Sequence, residues 1–526
     1  MCTEVGGAVK RKSMLDELKS NDVWDVVIIG GGATGLGAAV DAASRNFKTL
    51  LIEQADFAKA TSSRSTKLIH GGLRYLKQGN IHLVTEALKE RGLLYKNAPH
   101  LVAPLSFVVP NYQWWEAPFY GIGLKMYDIL AGKLGIEKSH HISKEETLKH
   151  IPTIETKDLR GGVIYFDGQF DDARLAVTLA QTAADLGATV LNYMKCTSLV
   201  KEKEKVKGIV MKDALRGDEY SIKTKVVINA TGIFSDEIRK LDDPKAEKMM
   251  VPSQGIHLVL DKSFLPGDSA ILLPQTPDGR VLFFVPWHNR VLVGTTDTAV
   301  DKPLLEPKAM KEEVEFLLKQ AAQYLSKHPK KEDILSVFAG MRPLVKSKKS
   351  KGSTAALSRD HVILVSDCQL ISIMGGKWTT YRKMSEDVID QAIEVGKLKK
   401  EKSKTTTLSL HGYMEGVKEV DSWDIYGSDA KMISDLTEEN KQWRELLHPR
   451  LPYFGNEVIW AVRQEMAQNL EDVLARRTRA LLLDARASVE IAPKVAEMMA
   501  KELGKDQSWI KQQVQSYKEL AAQYIL

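Results

Sequence analysis

The chain has 526 residues, 44% of them hydrophobic and 27% charged, with a formal net charge of +6. That balance excludes a disordered chain and a single small domain, and predicts about two to four folded domains. Cys2, Cys196 and Cys368 lie far apart with no CxxC or metal spacing, which argues against a disulfide framework or a zinc site and suits a reducing compartment.

Residues 1–22 read as a polar lead-in without the basic, apolar and small-residue layout of a signal peptide. VWDVVIIGGGATGLGAAVDAASRNFKTLLIEQ follows and reads as strand, tight turn, helix and strand. DVVII is a continuous apolar run, as expected of a parallel strand covered on both faces. The longest apolar run is short for a membrane span and is bounded by Asp25 and Asp41, so no transmembrane helix is expected. Gly30, Gly32 and Gly35 fall where a dinucleotide turn needs them. The first makes the turn, the second admits a pyrophosphate and the third lets helix and strand pack closely. Glu53, ending the next strand, is placed to accept hydrogen bonds from a ribose.

About ten residues further on, TSSRSTKLIHGGLRYL crowds hydroxyls and cations around a glycine pair. In an open α/β sheet this segment returns to the carboxyl ends of the strands, where ligands bind. Thr61, Ser62, Ser63 and Lys67 are therefore candidates to satisfy cofactor phosphate or flavin oxygens. Gly71 and Gly72 would admit the backbone to the ring, and His70 and Arg74 would face the reacting side.

VVINATG at 226–232 ends another strand and favours FAD over NAD, with Thr231 and Gly232 beside the cofactor. GGKWTTYR at 375–382 aims a third helix start at the pyrophosphate or flavin edge, through Gly376 and Thr379. Only one full GxGxxG is present, so electrons must come from a substrate and leave by a route other than nicotinamide.

These pieces predict a discontinuous nucleotide-binding domain from 23–95, 161–250 and 355–398. β-like segments such as RVLFFVPW and RVLVGTTDT assign 96–160 and 251–354 to an inserted substrate domain. KKEKSKTTT reads as a linker, and 405–526 has helical periodicity. YQWWEAPFYGIGLKMYDILAGKLG at 112–135 mixes aromatics with Lys125 and Lys133, which suits either an interfacial segment or the inserted domain's core. VKSKKSKGS at 345–353 reads as a solvated basic loop that would reinforce attraction to anionic lipid.

Taken together, TSSRSTKLIHGGLRYL, GGGATGLG, DGQFDDARL, VVINATG, PWHNRVLVGTTDT, AGMRPL, SRDH and GGKWTTYRKM closely resemble the FAD-dependent glycerol-3-phosphate dehydrogenases. The resemblance runs from about residue 24 into the C-terminal helical region. It implies an α/β fold: a Rossmann-like FAD domain of the glycine-oxidase type, an inserted β-rich substrate domain and a C-terminal helical cap. It implies oxidation of sn-glycerol 3-phosphate to dihydroxyacetone phosphate by hydride transfer from C2 to FAD N5. Electrons would then pass to a membrane quinone, with the protein held peripherally on the cytoplasmic side of an anionic membrane.

Arg74, Arg342 and Arg359 fall where the family places substrate or phosphate contacts, joined by Tyr75 and Lys377. Guanidinium forks suit a phosphate. His70 is the expected base for the C2 hydroxyl, with Lys377 the alternative base or support for the alkoxide. Three other readings stay open: an oxidase passing electrons to oxygen, an amine or amino-acid oxidase, and a non-catalytic flavin protein with a partner-docking helical C-terminus. Arg476, Arg477 and Arg479 in that region read as structural or dimer-forming. Nucleic-acid binding is not expected, because no stacked-aromatic module accompanies the basic residues.

Overall fold

The computed structural model describes residues 9–72, 76, 79–274, 276, 281–346, 360–416 and 422–526. Two sheets organise them. In the first the order is His361–Val365, Ile371–Gly375, Glu219–Asn229, Val23–Ile29, Thr49–Ile52 and Thr189–Leu191. All its neighbours pair in parallel except the outermost pair, His361–Val365 with Ile371–Gly375. An antiparallel meander, Met194–Glu202 and Lys205–Asp213, extends from Glu219–Asn229.

Val26, Val27 and Ile28 are fully buried, which accounts for the unbroken apolar reading of this strand. The helix Ala33–Ser44 is rich in alanine and glycine because it packs tightly against Tyr381–Gly396. A Cβ on Gly37 would meet Ser385 Oγ at 2.4 Å.

The second sheet has ten strands and is mostly antiparallel. Its centre pairs Met250–Asp261 with Ile334–Val345 and Arg290–Gly294. Side chains alternate between two cores. Ile256, Leu258 and Leu260 pack with Val314 and Leu317 of the helix Lys311–Tyr324, whereas Val259 and Leu292 face the C-terminal helices. Both faces are covered, so these strands also read as continuous apolar runs.

These pairings cut across the expected domain bounds. Gly161–Phe170, expected in the nucleotide-binding domain, pairs residue for residue with Val102–Asn111 in the second sheet. Leu68–Ile69 joins it there. The lead-in contains a helix, Arg11–Ser20, that buries Leu15 and Leu18 and pairs Arg11 with Asp213 at 2.9 Å. The helical C-terminus packs onto the second sheet. Ile491, Val495 and Met499, spaced at one helical turn, complete the core beneath the second sheet. Their helix, Ala485–Leu503, starts from the Asp484 side chain, which accepts from Ala487 N, and stops at Gly504 with φ 63°.

Candidate active site

The first strand ends in Gly30 at φ 116°, where a Cβ would meet Ala230 O at 2.6 Å. A Cβ on Gly35 would lie 1.8 Å from Gly30 O, so the helix start sits directly on the strand end. Glu53 accepts from Gly31 N at 2.7 Å and Ala55 N at 2.9 Å. Burial pushes its carboxyl up, against those two amides. A cavity of about 470 Å³ follows this cradle and is lined by Gly30, Gly32, Glu53, Ser62, Thr231 and Gly232. Ser62 Oγ accepts from Ala33 N at 3.0 Å, at the opening of the helix.

The glycine cradle, the helix N-terminus and the buried acid fit the pyrophosphate and ribose of FAD. A Gly35→Ala chain is expected to purify with roughly tenfold less flavin, since the added methyl strains the cradle by about 1–3 kcal/mol or more. Flavin absorbance per chain measures it; full retention would refute this role for the cradle.

A second cavity, of about 630 Å³, shares Thr61, Pro343, Gly376, Lys377 and Trp378 with the first. Thr66, His70, His257, Arg342 and Lys377 give it a polar wall. Leu76, Phe119, Ile122, Met126, Val281 and Phe283 give it an apolar one.

Arg342 rises from Ile334–Val345, and its guanidinium donates to Thr296 O at 2.7 Å, Thr295 Oγ1 at 3.2 Å and Gln254 O at 3.3 Å. Asp297 lies 3.4 Å from it. Gly255 makes room for it, since a Cβ there would meet Nη2 at 2.5 Å. The 294–298 turn is in turn tied down by buried Glu313, which accepts from Thr296 Oγ1 and Thr298 Oγ1, each at 2.8 Å.

The expected site residues divide. Thr61, Ser62, His70, Gly72, Thr231, Gly232, Arg342, Gly376, Lys377 and Thr379 come together on the two cavity walls with Gly30, Gly32 and Glu53. Gly35 and Gly71 lie behind the walls. Ser63 and Lys67 depart from expectation. Lys67 is fully buried, with Nζ on Asp172 Oδ2 at 2.7 Å and on Ser63 O at 2.8 Å. Ser63 O also accepts from Arg479 at 2.7 Å.

Arg64 likewise turns to Glu306, which also receives Lys59 at 2.6 Å. These groups lock the loop to the C-terminal region. Arg476, Arg477 and Arg479 are buried in the same network, so they are structural and offer no docking face. Arg74, Tyr75, Arg359 and the basic run at 347–353 lie outside the described residues.

His257 also lines the cavity. Its Nε2 is 2.9 Å from Thr66 Oγ1, and its ring stacks on Phe338. Burial, then the Lys67 and Arg342 cations, hold its imidazole well below the usual range, so it is neutral. It pairs in register with Gly294, whose missing side chain leaves room for the ring. Only that register would have revealed it.

A nucleotide cradle opening into a cation-lined cavity on this frame defines an FAD-dependent oxidoreductase. A family model described as FAD dependent oxidoreductase matches residues 25–382, and one described as the C-terminal domain of alpha-glycerophosphate oxidase matches 371–510. The mitochondrial glycerol-3-phosphate dehydrogenase of Mus musculus is 38% identical over 98% of this chain and 75% of its own length. The glycerol-3-phosphate dehydrogenase of Bacillus halodurans, solved with FAD, superposes with a TM-score of 0.81 at 29% identity, covering 99% of both chains. Glycine oxidase of Bacillus cereus shares the fold, with a TM-score of 0.51 at 17% identity over 72% of this chain and 98% of that one. The chain belongs to the FAD-dependent glycerol-3-phosphate dehydrogenase family.

Proposed function

We propose that the protein oxidises sn-glycerol 3-phosphate at C2 to dihydroxyacetone phosphate and delivers the electrons to a membrane quinone. The observation that carries this reading is the shared wall, where Lys377 lines both cavities and Arg342 lines the one beyond. Bound FAD supplies the acceptor for the C2 hydride. Arg342 holds the phosphate as a fork, and Lys377 steadies the negative charge that develops on the substrate oxygen. The His70 imidazole removes the hydroxyl proton. Arg74, Tyr75 and Arg359 are assigned to the substrate on the family resemblance alone.

The quinone is supported by the apolar wall. Its helix, Glu116–Ala131, turns outward an apolar face that includes Ile122 at 72% and Ile129 at 77% exposure, with Trp114 at 75% just before it. Lys125 and Lys133 are exposed beside them. No helix among the described residues is long and apolar enough to cross a membrane. The protein therefore meets the membrane through this in-plane helix. Trp114→Ala with Ile129→Asp is expected to weaken co-sedimentation with phosphatidylglycerol vesicles by about tenfold or more, given about 1.5–3 kcal/mol for each large apolar side chain buried. Unchanged co-sedimentation would exclude this helix as the contact.

The match to an oxidase's C-terminal domain favours a second reading, with oxygen as acceptor. An anaerobic visible spectrum with and without glycerol 3-phosphate tests the substrate first. Bleaching, then fast reoxidation by a soluble quinone and slow reoxidation by oxygen, is the expected result. Fast reoxidation by oxygen with peroxide release would make it an oxidase. A flavin that this substrate leaves oxidised would remove the assignment.

A further inference from the structure

His70 lines the cavity, but the next residue does not. Gly71 N–H donates to Tyr127 Oη at 2.7 Å, and a Cβ on Gly71 would meet that oxygen at 2.6 Å. Tyr127 belongs to the helix Glu116–Ala131 and is buried on its inner side, 1% exposed. Its hydroxyl donates to Asp167, which lies 2.9 Å away at Oδ1 and 2.8 Å at Oδ2. Asp167 also accepts from Arg91 Nη1 at 2.6 Å, and both are buried. Burial, then the Asp167 charge, pushes the Tyr127 phenol well above its ordinary range and keeps it a donor. A hydroxyl that donates to a carboxylate becomes a stronger acceptor, so the Gly71 amide meets a polarised oxygen.

On the other side, His70 N–H donates to Thr379 Oγ1 at 3.3 Å, from the turn that opens the helix Tyr381–Gly396. The peptide units flanking His70 are thus fixed from two directions. Thr379 holds one from the nucleotide-binding domain, and Tyr127 holds the other from the substrate domain. Packing alone does not require the phenol oxygen. A phenylalanine would fill the same space, with its ring edge-on to Tyr165 at 6.2 Å between centroids. It would take the phenol oxygen from the buried Gly71 N–H and leave it only the Asp167 carboxylate behind.

We infer that Tyr127 is a positioning residue for the reaction, setting the His70 imidazole against the shared wall through the Gly71 amide. The inference rests on the oxidation proposed for that wall. Nothing in it requires Tyr127 to touch substrate or flavin.

The test uses Tyr127→Phe as flavin-loaded protein with two readouts. Deuterium uptake in a peptide spanning residues 68–72 is expected to quicken by about tenfold, as the amide loses the phenol oxygen. The limiting rate of anaerobic flavin reduction by glycerol 3-phosphate, taken per bound flavin, is expected to fall about tenfold. The half-saturating substrate concentration should stay within about twofold, because the Arg342 wall is untouched. A merely structural role would lower flavin content without moving the rate per bound flavin.

A limiting rate within about twofold of the unmodified protein overturns the inference, whatever the exchange shows. If that variant yields no folded holoenzyme, Asp167→Asn keeps the phenol in place but removes its charged anchor. A fall of about threefold is expected there, and an unchanged rate overturns the inference equally. Failure of the underlying reading is distinct, since the unmodified protein's flavin would then stay oxidised in the presence of the substrate.

Discussion

Arg342→Ala is expected to lower kcat/KM for glycerol 3-phosphate by about two to three orders of magnitude, with most of the loss in KM. The guanidinium is pre-aimed by the Thr296 and Gln254 carbonyls and by Asp297, so its fork is already oriented before an anion arrives. Removing one partner of such a charge pair typically costs about 2–5 kcal/mol. Arg342→Lys restores the charge but not the planar fork, and should recover only about tenfold of the loss. Steady-state kinetics with anaerobic substrate titration of both variants will separate KM from kcat. A variant that reduces its flavin normally at low substrate would place the phosphate elsewhere in the cavity.

Asp56→Ala is expected to destabilise the fold by about 3–5 kcal/mol, the usual result of leaving buried cations without their counterion. Asp56 Oδ2 accepts from Arg476 Nε and Arg477 Nη1, each at 2.6 Å. Its Oδ1 accepts from Arg477 Nη2 at 2.8 Å and Asn192 Nδ2 at 3.0 Å. All three charged side chains are buried. Burial alone would raise the Asp56 carboxyl, but Arg477 and Arg476 override it and hold it well below the usual range.

A depressed acid stabilises fully above its unfolded value, about 3.9, and loses that contribution as the pH falls through the folded one. Denaturant unfolding at pH 7 and at pH 3 should therefore show a large gap between variant and parent that narrows in acid. A gap that is small at pH 7 would mean that the cations relax into water.

The nucleotide cradle was legible because its code is local. Gly30, Gly32, Gly35 and Glu53 act through a turn, a helix start and the next strand, all within one short segment. The inserted domain was legible in kind but not in extent. YFDGQF carries no mark of its sheet, and only pairing with Val102–Asn111 assigns it.

Lys67 shows the limit most clearly. Its neighbours in sequence suggest a cofactor contact, whereas its partner Asp172, which also receives Arg479, comes from a distant segment. His257 failed to stand out for the same reason, since the glycine that admits its ring lies on a neighbouring strand. Local chemistry identified the loop, and long-range pairing decided which of its side chains face the cavity.

The contact between Ser63 and Arg479, separated by 416 positions, also bears on how the protein is made. At about 5–20 residues per second, a ribosome needs some 20–80 s to reach the arginine after completing the loop. Throughout that interval the strand, turn and helix of the cradle can form, while Lys67 and Ser63 wait for Asp172 and then Arg479. A nascent chain arrested before residue 479 would carry the whole glycine fingerprint with the loop beside it still unsecured. It would therefore offer chaperones and proteases the Ser63 and Lys67 side chains that the finished protein buries.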